Sequence, residues 1–294
     1  MKLVHTIAQM QAISRNWPAD TTIGFVPTMG YLHEGHLSLV RESIIQCGIT
    51  VVSIFVNPSQ FGPNEDLSRY PRDLERDLEL LSAFTVDYVF FPTNEQMYPA
   101  TYHTWVNVEQ LSEVLCGASR PGHFRGVATI VLKLVNIIKP DFMFMGEKDF
   151  QQVTVLTAML NDLNLDCRIA PCPIVREADG LALSSRNIFL KGEERKQALC
   201  LSAAISQTQQ LYAQGTRKAA LLLEAATKII ADAGGNVDYI YLVNPQSLQS
   251  ETDLQDNTRI IMAVYIGKTR LIDNAALYSP CLEKFGSQIA QISV

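Results

Sequence analysis

Nothing in this sequence approaches the roughly 20 consecutive apolar residues that carry a helix across a bilayer. Its opening stretch, MKLVHTIAQMQAISRNW, has a lysine and then polar residues almost at once, unlike the long apolar core of a secretory signal. Cysteine is sparse and scattered. Cys47, Cys116, Cys167, Cys172, Cys200 and Cys281 show no disulfide-framework spacing, so free thiols in a reducing compartment are expected. Positive charge is in deficit as well. With 24 Lys and Arg against 30 Asp and Glu, the net charge of −6 gives no general attraction to nucleic acid or an anionic membrane, although it does not describe any single cleft. No internal repeat or low-complexity linker is present. Neither a Gly-x-Ser-x-Gly elbow nor a Gly-x-x-x-x-Gly-Lys-Ser/Thr loop occurs, which argues against acyl-enzyme hydrolysis and P-loop phosphoryl transfer. Together these absences predict a cytoplasmic protein with no nucleic-acid or membrane partner.

What is there is an ordinary globular mixture, 47% apolar and 18% charged, over 294 residues, enough for one large or two medium domains. Strand and helix patterns alternate through the first 175 or so residues. Strands are expected at Thr22–Val26, Ile49–Val56, Val86–Phe91, Asp141–Met145 and Cys167–Val175, the last interrupted by Pro171 and Pro173. The run ITVVSIFV, nearly all apolar and β-branched, reads as a strand buried on both faces. Helices are expected at Glu34–Cys47, Pro71–Phe84 and Asp149–Leu160, and Val127, Ile130, Val131, Leu134, Val135 and Ile138 mark another amphipathic helix. Such alternation predicts a Rossmann-like, doubly wound parallel sheet in an α/β fold. The pattern then changes to two helices, about Gly192–Gln214 and Arg217–Ala233, followed by strands Val237–Val243 and Arg259–Ile266. A first domain over 1–183 and a smaller C-terminal α+β domain over 184–294 are expected.

Residues with chemistry to offer fall in the loops after those strands, where a doubly wound sheet binds its ligands. The first group, Pro27-Thr28-Met29-Gly30-Tyr31-Leu32-His33-Glu34-Gly35-His36, runs from a strand end into a helix start. His33 and His36 share one helical face, and the helix N-terminus favours an anion such as a polyphosphate. A pair of surface histidines beside a cap is the plainer alternative, and a metal pair a third, although no further ligand lies at recognisable spacing. Asn57-Pro58-Ser59-Gln60-Phe61-Gly62 ends the buried strand and offers amides for a hydroxyl or carboxylate, or simply builds a loop. In Gly146-Glu147-Lys148-Asp149-Phe150-Gln151-Gln152, Lys148 is suited to phosphate and Asp149 to a ribose, a metal or merely a helix cap. Leu183-Ser184-Ser185-Arg186-Asn187 sets two hydroxyls beside an arginine, either a phosphate grip or a capped turn. Arg120-Pro121-Gly122-His123-Phe124-Arg125 is a basic loop at a helix start, open to phosphate or to solvent.

Taken together, TMGYLHEGH, FVNPSQF, RPGHFRGVATIV, MGEKDFQQ, VREADGLALSSRN and IGKTRLIDN resemble, in order and over about residues 3–275, the pantoate–β-alanine ligases (the pantothenate synthetase family). These sit within the H-I-G-H nucleotidyltransferase superfamily. The resemblance implies an AMP-forming ligase of coenzyme A precursor synthesis, with a pantoyl-adenylate intermediate, Mg2+ accompanying ATP, a C-terminal lid and a homodimer. It implies further that Met29, Gly30, Tyr31, Leu32, His33, Glu34, Gly35 and His36 line the ATP phosphates, His36 being the usual proton donor. Gly146, Glu147, Lys148 and Asp149 would meet the nucleotide, Val175 the adenine, and Leu183, Ser184, Ser185 and Arg186 the phosphates. Gln60 and Gln152, with Asn57, would hold pantoate and β-alanine, while His33, His36, Lys148 and Arg186 act in catalysis. No protein-bound metal is implied. Tyr31, Ser59 and Leu183 stand where the family commonly has a small residue, Thr and Met, and none removes a reacting group. A related nucleotidyltransferase acting on another small acid or cofactor precursor is the nearest alternative, and a non-catalytic nucleotide sensor a more distant one.

Overall fold

The computed structural model describes residues 1–63 and 65–278. Cys281 and the C-terminal tail lie outside them. Six strands form one sheet: β1 (Lys2–Val4), β2 (Ile23–Thr28), β3 (Ile49–Ile54), β4 (Tyr88–Phe90), β5 (Phe142–Gly146) and β6 (Arg168–Cys172). Their order is β1-β4-β3-β2-β5-β6, and every neighbouring pair is parallel. The chain thus builds outward from β2 through β3 to β4, then returns to the other side of β2 for β5 and β6. That reversal, between β2 and β5, is the topological switch point.

Residues of β3 after Ile49 are all buried, as the unbroken apolar run predicts. On one face of the sheet, Val26, Val52, Ile54 and Phe144 pack against Leu37 and Val40 of helix Glu34–Gln46 and Leu81 of helix Leu74–Ser82. The expected strand at Thr22–Val26 runs on through Pro27 to Thr28. A proline is tolerated there because β5 pairs with β2 only at Gly24 and Phe25, so beyond Phe25 that side of β2 has no ladder to complete. Pro171 is accommodated similarly, on the edge strand β6. Strand β1, at three residues, is too short to leave a pattern.

The chain divides into two compact units, one of Met1–Glu177 with Ala182–Asn187, the other of Ala178–Leu181 with the described residues from Ile188. In the second, helices Glu193–Gln197, Cys200–Ala213 and Ala219–Asp232 accompany an antiparallel sheet of β7 (Asn236–Val243), β8 (Arg259–Ile266) and β9 (Thr269–Ala276). The single helix expected over Gly192–Gln214 is two, and β9 was not expected. Its pattern is masked by Asp273 and Asn274, which are nevertheless buried, Asn274 accepting a hydrogen bond from Arg259. A two-residue turn with Gly267 at positive φ (56°) joins β8 to β9. Among the described cysteines, Cys47, Cys116, Cys167, Cys172 and Cys200 are free thiols. No helix of the described residues is long and apolar enough to cross a membrane.

Helix His123–Ile138 brings Gly126 directly beneath the loop that follows β3. A methyl group on Gly126 would fall 2.4 Å from the Ser59 carbonyl oxygen and 2.7 Å from the Gln60 nitrogen, both backbone atoms that cannot swing aside. Gly126→Ala is therefore expected to cost about 1–3 kcal/mol, the usual range for overpacking. A thermal melt of the variant matching the parent would contradict this packing.

Candidate active site

Because β2 and β5 part after Phe25 and Met143, their carboxyl ends open a cleft between the loops that follow them. The loop after β2 turns at Gly30 (φ 78°) and Tyr31 (φ 52°), two successive residues in left-handed backbone. One buried carboxylate holds that turn. Asp77, on helix Leu74–Ser82, accepts the amides of Tyr31 and Leu32, each at 2.7 Å. Burial raises its pKa, and the two amide bonds act in the opposite sense. The Arg76 guanidinium covers the Tyr31 ring at 4.9 Å. Asp77 is a charged residue on a helix rich in charge, yet it is 1% exposed. Only its i, i+4 relation to Leu81, on the buried stripe, could have marked it.

The turn delivers His33 to the N-cap of helix Glu34–Gln46. Its Nδ1 accepts the Gly35 amide at 3.2 Å, and Nδ1 of His36 accepts the His33 amide at 3.3 Å. Both rings thus cap the helix, but capping occupies only Nδ1 of each. Burial, foremost, holds both imidazoles neutral, with pKa values lowered to about 4 for His33 and about 3 for His36; Lys148 adds to both, and His33 acts on its neighbour. A neutral ring that accepts at Nδ1 carries its proton on Nε2. The two rings lie 4.1 Å apart, so the pair forms a neutral double donor at a helix N-terminus, on the wall of the cleft.

After β3, Asn57 is 1% exposed and its amide is fully engaged. It donates to Gln60 Oε1 at 3.0 Å and to the Gly126 carbonyl at 3.2 Å, while its Oδ1 accepts from Tyr98 and Ser59 hydroxyls. Asn57 lines the cleft and, through its bond to Oε1, orients Gln60 within it. With Oε1 taken, Gln60 presents its Nε2 hydrogens beside the Met29 sulfur at 3.1 Å, suited to an acceptor such as a carboxylate. From the opposite wall, the loop after β5 contributes Gly146, Lys148 and Asp149 to the lining, and the following helix contributes Gln152. Asp149 precedes that helix but makes no capping bond with its side chain. Its neighbour Gln151 turns inward, donating to the Leu111 and Val114 carbonyls and accepting the Cys116 amide.

Val175, Leu183, Ser184, Ser185 and Arg186 complete the wall. The Leu183 amide donates to the Val175 carbonyl at 3.0 Å, so the adenine-side and phosphate-side residues expected from the sequence are bonded to each other. Arg186 is already engaged, donating from Nε and Nη2 to Asp66 at 2.9 and 3.0 Å. Several expected residues stand off the cleft wall. Gly30 and Leu32 are buried in the turn, Tyr31 stacks under Arg76, Glu34 pairs with Arg41 on the outer face of its helix, and Glu147 is not part of the lining. Arg120 and His123 of the basic loop do line it, whereas Arg125 sits over the Trp105 ring. Tyr70 was missed: 61–70 carries no strand or helix pattern, yet Tyr70 lines the cleft.

The family model for pantoate-beta-alanine ligase matches residues 2–276. The chain is 50% identical over 278 residues to the pantothenate synthetase of Pseudothermotoga lettingae, covering 94% of this chain and 99% of the relative. It is 51% identical over 276 residues to that of Caldicellulosiruptor saccharolyticus, covering 93% and 98%. A crystal structure of pantothenate synthetase from Thermus thermophilus superposes with a TM-score of 0.91 at 43% identity, covering 95% of this chain and all of that one (100%). The pantoate-beta-alanine ligase of Francisella tularensis, complexed with beta-gamma ATP and beta-alanine, gives 0.81 at 36% identity, covering 94% and 98%.

Neutral, half-buried histidines make stability depend on pH with a definite sign. Their pKa values, lowered from 6.5 to about 4 and about 3, mean that the unfolded chain binds protons first as pH falls. Stability from this pair is complete above about pH 6.5 and is lost as pH falls toward 4. His36→Asn keeps an acceptor near Nδ1 but cannot titrate. The Tm gap between parent and variant should therefore shift toward the variant between pH 7 and 4.5. A gap constant across that range would contradict neutral histidines.

Proposed function

Because the chain belongs to the pantoate–beta-alanine ligase family, we infer that it condenses pantoate with β-alanine, using ATP and releasing AMP and pyrophosphate. The observation that supports this reading best is the grouping of a neutral histidine pair, Lys148 and the donor face of Gln60 in one cleft at the switch point. Pantoate and ATP are both anions, so a carboxylate approaching the α-phosphorus needs fixed donors that strengthen as charge moves to the leaving group. In the first step a pantoate carboxylate oxygen bonds to that phosphorus and the bond to the bridging oxygen breaks, expelling pyrophosphate. His33 and His36, through Nε2–H, and Lys148 act on the phosphate oxygens, with Arg186 beside them. Gln60 and Gln152 hold the pantoate carboxylate and hydroxyl groups. In the second step the neutral amine of β-alanine attacks the acyl carbon, and the acyl–phosphate bond breaks to release AMP as the amine gives up a proton.

Asp149 is assigned to the ribose and Val175 to the adenine. Mg2+ enters with ATP in this scheme, held by phosphate oxygens and water, as suits an ion that dehydrates reluctantly. Among the described residues no group of three or more His, Cys, Asp or Glu comes together that could hold a metal ion. The homodimer, the cytoplasmic setting and the assignment of 184–294 as a lid belong to the same proposal.

Two steps imply a separable first half. Pantoate and Mg-ATP should support pyrophosphate exchange with no β-alanine present, and exchange that strictly requires β-alanine would refute the adenylate scheme. Lys148→Ala is expected to slow single-turnover adenylation by about 10²–10³, the usual cost of removing a preorganised donor. Gln152→Ala should chiefly raise KM for pantoate. A near-normal single-turnover rate in Lys148→Ala would return the loop after β5 to a structural role.

A further inference from the structure

Two adjacent acids in the segment between β3 and helix Leu74–Ser82 each grip an arginine of the cleft. Glu65 receives Arg120 Nε at 2.7 Å and Nη2 at 2.5 Å, while Asp66 receives Arg186 Nε and Nη2 at 2.9 and 3.0 Å. Both pairs are bidentate, and all four side chains are mostly withdrawn from solvent, at 15–30% exposure. The arginines come from different places, Arg120 from just before helix His123–Ile138 and Arg186 from the segment after Leu183. Their onward contacts differ too. Arg120 spends its remaining donors on the protein, with Nη1 at 3.1 Å from His123 Nε2 and Nη2 at 3.3 Å from the Gln60 carbonyl, which His123 Nδ1 also meets at 2.8 Å. Arg186 keeps Nη1, which donates to none of the described residues, on a side chain that lines the cleft.

We propose that Glu65 and Asp66 are a pair of positioning residues that serve opposite ends of the cleft: Asp66 aims Arg186 at the phosphates, and Glu65, through Arg120 and His123, fixes the Gln60 backbone at the acid-binding end. The proposal rests on the reading of the cleft given above. A guanidinium held at two nitrogens by a carboxylate has lost its rotamer freedom before ligand arrives, so little ordering cost remains when a phosphate oxygen meets its third nitrogen. The carboxylate also offsets the arginine's charge, so the free cleft does not confine several uncompensated cations. Burial would raise the pKa of each acid, but its arginine holds it below the ordinary carboxylate value, so both stay ionised at neutral pH. On the other arm, Gln60 is fixed twice, its side chain by Asn57 and its carbonyl by Arg120 and His123. A sub-ångström drift there would be felt by whatever the Gln60 amide holds.

Pantoate-dependent pyrophosphate exchange separates the two arms. Asp66→Asn, which keeps shape and one acceptor, should lower the exchange rate at saturation by about 10–100-fold, since misplacement of about 1 Å costs on that order. KM for pantoate should stay within about twofold. Added to Arg186→Ala, it should cost nothing further, because the group it positions is gone. Glu65→Gln should show the reverse signature, about a 10-fold rise in KM for pantoate with KM for ATP little changed. Asp66→Glu, which retains the charge, should recover part of the rate lost in Asp66→Asn. Multiplying effects of Asp66→Asn and Arg186→Ala, or one common signature for both acids, would overturn the proposal while leaving the ligase reading intact. Unimpaired exchange in Arg186→Ala would instead refute the assignment of Arg186, and with it the Asp66 arm. Loss of folding cooperativity in Asp66→Asn that Asp66→Glu does not restore would count against positioning and for a merely structural pair.

Discussion

The ladder between β2 and β5 stops at Phe25 and Met143, and most of what matters in this protein follows from that early stop. Two parallel strands that part at their carboxyl ends cannot close the gap with backbone, so the loops after them must line it. One is drawn back by Asp77 into a left-handed turn and becomes a helix N-terminus carrying two histidines. Its counterpart runs from Gly146 into the next helix and sets Lys148, Asp149 and Gln152 on the facing wall. Pro27 lies just past the last shared rung, where a missing N–H costs nothing on the β5 side.

Charge is distributed in the cleft with some care. The histidines are neutral donors rather than cations, since burial outweighs any gain from protonation. The two lining arginines are matched by Glu65 and Asp66. Such a site can receive two anionic substrates without a standing excess of buried positive charge in the free protein, and its donors need little reorganisation when charge moves to the leaving group.

How much of this could be read from sequence depended on the range of the interaction. The β3 run was legible because a strand buried on both faces has no polar residues to confuse it. The place of the histidines, Lys148 and Gln152 on the cleft was legible because each follows a strand, and a doubly wound sheet fixes what such positions face. Asn57 was legible only in part. Its place in the loop was right, but only the fold shows Tyr98, Ser59, Gly126 and Gln60 consuming its amide. Asp77, Glu65 and Asp66 went unread because their partners lie far along the chain, 120 residues away for Asp66 and Arg186. No local period records such a pair. The same holds for β9, whose buried Asp273 and Asn274 broke the apolar alternation that would have marked it.

The central claim is that one cleft, between the ends of β2 and β5, holds an acyl-adenylate with its phosphate on the histidine pair and its acyl group on the glutamines. A crystal structure with a non-hydrolysable pantoyl-adenylate analogue tests it most directly. The account predicts the phosphate-mimicking group within hydrogen-bond reach of Nε2 of His33 or His36 and of Lys148 Nζ. The pantoyl oxygens should meet Gln60 Nε2 and Gln152, with Gln60 Oε1 still bonded to Asn57. An analogue bound elsewhere, or a Gln60 amide turned so that Oε1 faces the ligand, would contradict it.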